Sequence, residues 1–298
     1  MCGRYSLTRR DRRELAAELG VPEEFLADYQ PHYNIAPTQT AFVMKLKGEN
    51  RELTPAKWGL VNSWARDNSR AAQCINAKAE TVDRLASFRE AFQQRRCVVP
   101  ADGFYEWRGK QGNREPLWFH RRDGKLLLFA GLYEAWQPER GKWETTFTIV
   151  TTEPNAMLAP IHNRMPVILS DRAADDWMNP REPDPRSLKR LLLPAPDDTL
   201  EATPVSSLVN DANNDGPEVP IENPPAEVEI SRCEFERLER CKSKSCQRSG
   251  TVVARYLDST RGFLRQFELC DAHAERLIVR DLRRGLKVTD KRTFALSG

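Results

Sequence analysis

Six apolar, strand-like segments separated by short turns are the strongest constraint on what this chain can fold into. Their connections are rich in glycine and charged residues, as in Arg122-Asp123-Gly124-Lys125. Consecutive strands joined by short turns pair in antiparallel fashion. The sequence therefore predicts an α+β fold built on a curved, mostly antiparallel, barrel-like sheet with a few flanking helices. The predicted strands cover residues 41–46, 53–59, 98–107, 117–121, 126–136 and 143–151.

Helical spacing is confined to four segments of the first 225 residues. Thr8 is the predicted N-cap of a first helix, which covers residues 9–19 and stops at Gly20. Residues 80–95 are predicted to form one amphipathic helix. The two shorter predicted helices cover residues 171–178 and 187–193.

Composition changes between residues 210 and 225, where Asn, Asp, Gly and Pro dominate. We expect an extended linker there, and hence two domains that cover residues 1–225 and 226–298. The second domain is basic, since residues 231–298 contain 16 Lys and Arg against 9 Asp and Glu in a chain of net charge +3. Such an excess is typical of a polyanion-binding module, although a solvated charged face gives the same composition.

The apolar segments are too short for a membrane protein. None reaches the ~18 residues that a membrane span needs, and the N-terminal segment is not apolar. We therefore expect a cytoplasmic protein. In that reducing compartment the seven cysteines favour chemistry or metal binding over disulfides.

The N-terminal residues carry the most distinctive chemistry in the chain. It begins Met1-Cys2-Gly3-Arg4, and a small second residue favours removal of Met1. Cysteine would then be the terminus, with an α-amine of pKa ~7.7 to 8 beside its thiol. A free amine attacks an aldehyde to give a Schiff base, and the thiol can close on the imine carbon to form a thiazolidine. The same terminus could instead act as an acyl-transfer nucleophile with its own amine as base.

Three further segments place polar residues where simple core packing does not require them. Each has a structural explanation beside the chemical one: Asn76 could cap a helix, Glu106 could face solvent on an alternating strand, and His162 could be a hydrogen-bonded loop residue. The segments are residues 75–81, 101–107 and 161–166.

Short motifs follow one another in a recognisable order along the chain. They are Met1-Cys2-Gly3-Arg4, His32-Tyr33-Asn34-Ile35-Ala36-Pro37, Trp58-Gly59-Leu60 leading to Trp64, Asn76-Ala77-Lys78-Ala79-Glu80-Thr81, Gly103 to Trp107, Ile161-His162-Asn163-Arg164-Met165-Pro166, and Val205-Ser206 through Asn214-Asp215-Gly216-Pro217. Together they resemble the SOS-response-associated peptidase family of abasic-site processing proteins. The resemblance extends over residues 2–222.

The resemblance implies a protein that binds single-stranded DNA and becomes attached to an abasic site as a thiazolidine, which protects the damaged strand. Cys2 would be the nucleophile, and Asn76 would orient groups around the terminal amine. Glu106 would carry protons, and His162 would help open the sugar and bind nearby phosphate. This chemistry needs no cofactor. The implied partner is single-stranded DNA with abasic sites, with the protein at the nucleoid when bound, and a monomer is expected.

The resemblance also implies a set of DNA contacts. Lys78 stands where family members usually have arginine, so we expect a weaker grip on phosphate there. Asn62 stands where proline is common, which predicts a smaller wedge at Trp64. We expect Trp58 and Trp136 to be core residues instead. The implied contacts are Arg4, Asn34, Trp64, Lys78, Trp107, Thr151 and Arg164.

The C-terminal domain has a different signature. Cys241 and Cys246, followed by Cys270 and His273, have a spacing that suits a Cys3His zinc site, with Cys233 as a competing ligand. The pairs flank a predicted hairpin over residues 252–257 and 263–269, and a helix is predicted over residues 274–284. We therefore expect a small zinc-ribbon-like module in which a structural metal contributes folding free energy. Free cysteines and a surface histidine remain the alternative.

Two other functions fit the same residues. Cys2, His162 and Glu106 could form a cysteine autopeptidase that removes its own N-terminus. The basic C-terminal module could instead make the protein a noncatalytic adaptor that binds nucleic acid or another protein. The leading hypothesis is abasic-site crosslinking with lyase-like reversibility.

Overall fold

Two sheets built from thirteen strands form the body of the N-terminal part of the chain. The structure is a computed structural model that describes residues 2–110, 113–182, 184–219, 226–229, 252–258 and 263–269. The chain divides into two compact units, Met1–Glu222 and Asn223–Gly298. The strands of the first unit are β1 Tyr5–Leu7, β2 His32–Ile35, β3 Thr40–Lys47, β4 Asn50–Trp58, β5 Asn76–Lys78, β6 Arg96–Ala101, β7 Gly103–Lys110, β8 Asn113–Arg121, β9 Leu127–Glu139, β10 Lys142–Thr152, β11 Met165–Pro166, β12 Ile168–Leu169 and β13 Leu200–Pro204.

A closed barrel is the centre of the first unit. Its strands follow the order β10-β4-β3-β6-β9, and β9 then pairs back onto β10. The strands β5, β11 and β12 extend this sheet. The second sheet has the order β13-β8-β7-β1-β2, and each of its pairings is antiparallel. The predicted α+β, barrel-like, mostly antiparallel architecture is confirmed, with β10 pairing in parallel to β4 and β5 as the exceptions.

Aromatic side chains join the two sheets. Tyr5 of β1 contacts Trp58 at 5.2 Å and Phe129 at 6.2 Å between ring centroids. Phe104 of β7 also contacts Phe129, edge to face at 6.0 Å. These rings are fully buried or nearly so, and such pairs add to the free energy gained from burial alone. The first residues of the chain are therefore anchored against the barrel.

The prediction of one strand over residues 98–107 is wrong. The segment forms two strands that belong to different sheets, β6 in the barrel and β7 in the second sheet, with Asp102 between them. The Asp102 carboxylate accepts the backbone N–H of Thr8, which fixes the crossing point. At the next position, a Cβ atom on Gly103 would lie 2.6 Å from the carbonyl oxygen of Phe119, so the crossing leaves room only for glycine.

Two of the helices, the first and the second, are shorter than predicted. The first is α1 Arg12–Leu19, capped by Asp11, which accepts from the N–H groups of Arg13 and Glu14; Thr8 as N-cap is wrong. The predicted helix over residues 80–95 is also wrong, because only α2 Arg89–Gln94 is helical. The helix α3 Asp171–Met178 occurs where it was predicted, capped by Ser170. The helix predicted over residues 187–193 is α4 Pro185–Arg190, which begins two residues earlier behind an Asp184 cap and ends three residues earlier. Short 3-10 helices cover Glu23–Leu26, Ala71–Gln73 and Ser207–Asn210.

Side-chain pairing explains why residues 79–88 form successive turns. Glu80 binds the guanidinium of Arg164 at 2.7 Å, and Asp83 binds the ammonium of Lys189 at 2.9 Å. Both acids are therefore used to tie the turns to distant segments. Helical periodicity could not reveal these long-range contacts.

The second unit contains a three-stranded sheet of β14 Ala226–Glu229, β15 Val252–Asp258 and β16 Phe263–Leu269. The predicted hairpin is confirmed, since β15 and β16 pair antiparallel, while β14 pairs in parallel with β15. The predicted zinc ligands Cys241, Cys246, Cys270 and His273 lie outside the described residues, as does the predicted helix 274–284. Within the described residues, no group of three or more His, Cys, Asp or Glu side chains could hold a metal ion.

No helix among the described residues is both long enough and apolar enough to cross a membrane.

The crossing at Gly103 makes a test of the fold. Gly103→Ala should lower the free energy of unfolding by roughly 1 to 3 kcal/mol, because the added methyl group must displace packed backbone and the Trp118 ring. Ala135→Ser, at an exposed position of β9, should change it by less than about 0.5 kcal/mol. Urea denaturation of both variants measures the difference. Equal stabilities would contradict the assigned crossing.

Candidate active site

Cys2 is buried at the start of the chain, immediately before β1, with no exposed surface. Its backbone carbonyl accepts a hydrogen bond of 2.8 Å from the side-chain Nδ2 of Asn76. Asn76 is the first residue of β5, where it pairs with Ile149 of β10. The first residue of β5 thus holds the Cys2 carbonyl group at the barrel.

The second polar atom of the Asn76 side chain is the amide oxygen Oδ1. This atom is buried and has no hydrogen-bond partner among the residues that the structure describes. Because Asn76 lies in a strand and the following helix begins with Phe88 as its N-cap, the alternative of a capping role is wrong. An unpaired buried acceptor beside the chain terminus is costly, and it is suited to receive an N–H group of the N-terminal residue.

Glu106 projects from β7 into the same region. Its side chain is buried, and Oε1 lies 3.8 Å from Nδ1 of His162 and has no hydrogen bond within the described part of the chain. The solvent-facing alternative for Glu106 is therefore wrong. Burial raises the pKa of Glu106 to about 7, against the opposing effect of the amino terminus and of Arg114. Near neutral pH this carboxyl group is populated in both protonation states, as a general acid and base must be.

His162 lies in the turn before β11. Its Nδ1 atom is 3.0 Å from the carbonyl oxygen of Arg164 and 3.1 Å from the backbone nitrogen of the same residue. Burial lowers the pKa of His162, so the imidazole is neutral at pH 7. The structure thus brings together Cys2, Asn76, Glu106 and His162, as the sequence predicted, and His162 combines a loop hydrogen bond with contact to the acid.

The thiol of Cys2 is not ionised in this environment. Burial raises its pKa well above the ordinary value, and the nearby Glu106 carboxylate raises it further. Because only the thiolate is strongly nucleophilic, a first attack by sulfur is disfavoured here.

Arg4 and Trp107 form one side of the predicted DNA contacts. Arg4 is half-buried, and its Nη1 atom donates to Asn34 Oδ1 at 2.8 Å and to the Val209 carbonyl at 2.6 Å. The guanidinium lies 6.0 Å from the centroid of the Trp107 ring. Trp107 in turn donates from Nε1 to Asn210 at 2.7 Å. A cation and a flat ring therefore occur side by side, each held by the segment that follows β13.

Asn34 is buried, unlike a residue that contacts DNA directly. Its side chain is fully buried, and Nδ2 donates to the carbonyl groups of Asp211 at 3.0 Å and Asn214 at 2.7 Å. Its oxygen accepts from Arg4. The hydrogen-bonding groups of Asn34 are used internally, so Asn34 supports Arg4 and the segment after β13.

A second cation is held in a similar way. Arg164 forms a bidentate pair with Glu80 at 2.7 and 3.0 Å and donates to the Thr151 carbonyl at 2.5 Å. Thr151 is buried, so it supports Arg164 and does not present its own surface. Lys78, at the end of β5, is exposed, and Trp64 is 64% exposed in the loop between β4 and β5.

Asp215 is a structural residue that the sequence analysis did not single out. One carboxylate oxygen accepts the N–H groups of Tyr33 at 2.6 Å and Asn34 at 2.8 Å, and the other lies 2.5 Å from Nδ1 of His32. It thereby fixes the segment that holds Arg4 and Trp107. Its signal was the Asn-Asp-Gly-Pro motif, which lies in the segment that composition assigned to an extended linker.

Comparison with known proteins decides the family. The sequence profile of the SOS response associated peptidase (SRAP) family matches residues 1–212. The chain belongs to this family. It is 40% identical over 222 residues to the abasic site processing protein YoqW of Bacillus subtilis (strain 168), which covers 74% of this chain and 98% of that protein. It is also 31% identical over 228 residues to the abasic site processing protein HMCES of Gallus gallus, covering 65% and 67% of the two chains.

Solved structures show the same fold as this SRAP chain. A crystal structure of a protein from Bacteroides thetaiotaomicron has a TM-score of 0.66 at 25% sequence identity. The match covers 74% of this chain and 99% of that one. The similarity accounts for the first unit of the SRAP chain.

The raised pKa of Glu106 predicts a pH-dependent cost in stability. The folded state holds this proton more tightly than the unfolded state, so stability falls as pH rises from the unfolded pKa of ~4.3 to about 7. Glu106→Gln removes the ionisation and should therefore raise the melting temperature more at pH 8 than at pH 5. Glu139→Gln, on the exposed end of β9, is the control. Equal gains at both pH values would contradict a buried, proton-binding carboxyl group.

Proposed function

We propose that this protein binds single-stranded DNA and forms a covalent thiazolidine crosslink with abasic sites through Cys2, after removal of Met1, and thereby protects damaged DNA. The observation that carries the proposal is the burial of a carboxyl group with a pKa of about 7, that of Glu106, beside His162 and beside a cysteine held by Asn76. The relatives named as abasic site processing proteins support it.

The first step that needs the protein is opening of the sugar. An abasic deoxyribose is mostly a closed hemiacetal, and its aldehyde appears only when the hydroxyl proton is removed and the ring oxygen is protonated. In this proposal the imidazole of His162 and the carboxyl group of Glu106, 3.8 Å apart, move these protons. General acid and base catalysis of this kind typically contributes about 10²- to 10⁴-fold in rate.

The next step is attack by nitrogen. The α-amine of a terminal Cys2 has an ordinary pKa of ~7.7 to 8, so a useful fraction is unprotonated near neutral pH. The unpaired Oδ1 atom of Asn76 is suited to accept one N–H of this amine and to orient its lone pair. Attack on the aldehyde carbon gives a carbinolamine, whose hydroxyl group departs as water when Glu106 donates a proton to it. The iminium ion that forms returns its N–H proton to Glu106 and becomes a neutral imine.

Closure by sulfur completes the reaction. The Cys2 thiol adds to the imine carbon, forming the carbon–sulfur bond while its proton ends on the nitrogen. Aldehyde, amine and thiol thus give thiazolidine and one water molecule, with no oxidant or cofactor. Because the thiol stays protonated until this stage, the order of attack is nitrogen first and sulfur second.

The surrounding cations and rings fit an unpaired strand. Arg4 and Arg164 are held near the site by protein groups, and Lys78 is exposed at the end of β5. Cations bind the phosphates, and the Trp107 ring offers a face for stacking. An abasic position has no base, so recognition there comes from the reactive aldehyde.

The burial of Cys2 also disfavours the autopeptidase alternative. A cysteine peptidase needs a thiolate, and the environment of Cys2 raises the thiol pKa. Intact-mass analysis of Glu106→Ala separates the two functions, since retention of Met1 in this variant would favour self-processing. The adaptor hypothesis concerns the C-terminal module, and zinc analysis of the full chain tests its proposed metal.

Incubation with a single-stranded oligonucleotide that carries one abasic site tests the proposal. The wild-type protein should give a covalent, gel-shifted species, Cys2→Ala should give none, and Glu106→Gln should form it about 10²- to 10⁴-fold more slowly. Cys97→Ala is the matched control, since it removes a thiol that is buried in the barrel. An adduct of Cys2→Ala in wild-type yield would refute the thiazolidine mechanism.

A further inference from the structure

The turn that carries His162 is held by side chains as well as by its backbone. Two residues after His162, Arg164 extends its guanidinium group to the carboxylate of Glu80, with Nη1 2.7 Å from Oε1 and Nη2 3.0 Å from Oε2. The Nη2 atom also donates to the carbonyl group of Thr151 at 2.5 Å. The turn before β11 is therefore tied both to β10 and to the segment that follows β5.

The carbonyl group of Thr151 is the point where three segments of the site meet. It accepts the backbone N–H of Ala79 at 2.8 Å in addition to the guanidinium group. Ala79 follows β5, the strand that begins with Asn76, and Thr151 itself pairs with Pro166 of β11. These contacts connect the strand that bears Asn76 to the turn that bears His162.

The Glu80–Arg164 pair is poorly explained by stability alone. The Glu80 side chain is 51% exposed, and exposed ion pairs contribute little to the free energy of folding. The hydrogen bond from Arg164 lowers the pKa of Glu80, so the carboxylate is charged near neutral pH. Two parallel hydrogen bonds fix the direction of a guanidinium group as well as its distance. The pair is therefore suited to position Arg164.

Arg164 in turn holds the ring of His162 through its backbone. The Nδ1 atom of the imidazole lies 3.1 Å from the backbone nitrogen of Arg164 and 3.0 Å from its carbonyl oxygen. An unprotonated Nδ1 accepts the N–H group, and a protonated Nδ1 donates to the carbonyl oxygen. The ring thus has a partner on Arg164 in each protonation state, and it can take up or release a proton without losing its hydrogen bond to the turn.

We infer that Glu80 is a positioning residue for His162, because through the guanidinium group of Arg164 it fixes the backbone against which the imidazole changes its protonation. This role rests on the proposed function, in which His162 helps open the deoxyribose ring. Glu80 acts through Arg164 and not on the sugar itself. Catalysis by a positioned acid or base depends steeply on geometry, since a displacement of about 1 Å can cost about 10²-fold in rate.

Glu80→Gln tests the inference, because it keeps the size of the side chain and removes the charge that holds the guanidinium group. With a saturating single-stranded oligonucleotide that carries one abasic site, the covalent adduct should form roughly 10- to 100-fold more slowly than in the wild type. Saturation removes any change in DNA affinity from this rate. Asp83→Asn is the matched control, since it neutralises an acid of the same turns whose partner is Lys189 of α4, at 2.9 Å, and its rate should equal that of the wild type.

An aldehyde without a sugar ring separates positioning from general damage to the site. Propanal needs no ring opening, so its reaction with Cys2, followed by intact mass, should proceed at the wild-type rate in Glu80→Gln. Equal losses of rate with propanal and with the abasic oligonucleotide would overturn the inference. Tighter binding of undamaged oligothymidine with a wild-type crosslinking rate would also overturn it, since Glu80 would then only compete with phosphate for Arg164.

The ring nitrogens of His162 supply a readout that needs no DNA. The chain has four histidines, and comparison with His162→Gln assigns the signals of this ring in ¹⁵N NMR spectra. The Nδ1 signal should move in Glu80→Gln and stay in place in Asp83→Asn, and an unchanged signal in both would contradict the positioning role. Should Glu80→Gln fail to fold, Glu80→Asp, which keeps the charge and shortens the side chain, supplies the same comparisons.

These measurements distinguish the role of Glu80 from the proposed function. A wild-type protein that forms no adduct with an abasic site would refute the crosslinking proposal, and the NMR comparison would still decide whether Glu80 positions the His162 ring. Normal crosslinking by both the wild type and Glu80→Gln would refute the positioning role alone.

Discussion

The hydrogen bond from Asn76 to the carbonyl group of Cys2 is the contact on which the rest of the site depends. Chain termini are usually mobile, yet here the second residue is buried and fixed at 2.8 Å to the first residue of β5. Pairing of β1 between β2 and β7 carries the segment to that point. The aromatic contacts of Tyr5 then fix it against the barrel. A terminus held in this way can serve as a reactive group with defined geometry.

Burial sets the protonation of the groups around that terminus. It raises the pKa values of Glu106 and of the Cys2 thiol and lowers that of His162. In each case the low polarity of the surroundings disfavours the charged form. The result is a carboxyl group that exchanges protons at neutral pH, a neutral imidazole and a neutral thiol. These states are the ones that the proposed attack by an amine and ring closure through sulfur require, and a buried, ionisable Glu106 lowers stability.

The sequence predicted local structure and the candidate site residues better than it predicted contacts between residues that are distant in the chain. The helix α3 and the strands β3 and β4 occur where predicted because their signals, helical spacing and short apolar segments, are local. The single strand over residues 98–107 and the helix over 80–95 were wrong because distant partners decide them. Thr8 binds Asp102 at the crossing, and Arg164 binds Glu80 in the turns.

The same limit applies to the site. Cys2, Asn76, Glu106 and His162 could be found because they lie in short motifs that resemble one family, whereas Asn34, Thr151 and Asp215 support other residues through contacts that no spacing reveals. Mass spectrometry of the crosslinked peptide tests the central claim most directly. The account predicts that the sugar is attached to a peptide that begins at Cys2, without Met1, with the loss of one water molecule. Attachment to an internal residue, or to a chain that keeps Met1, would contradict it.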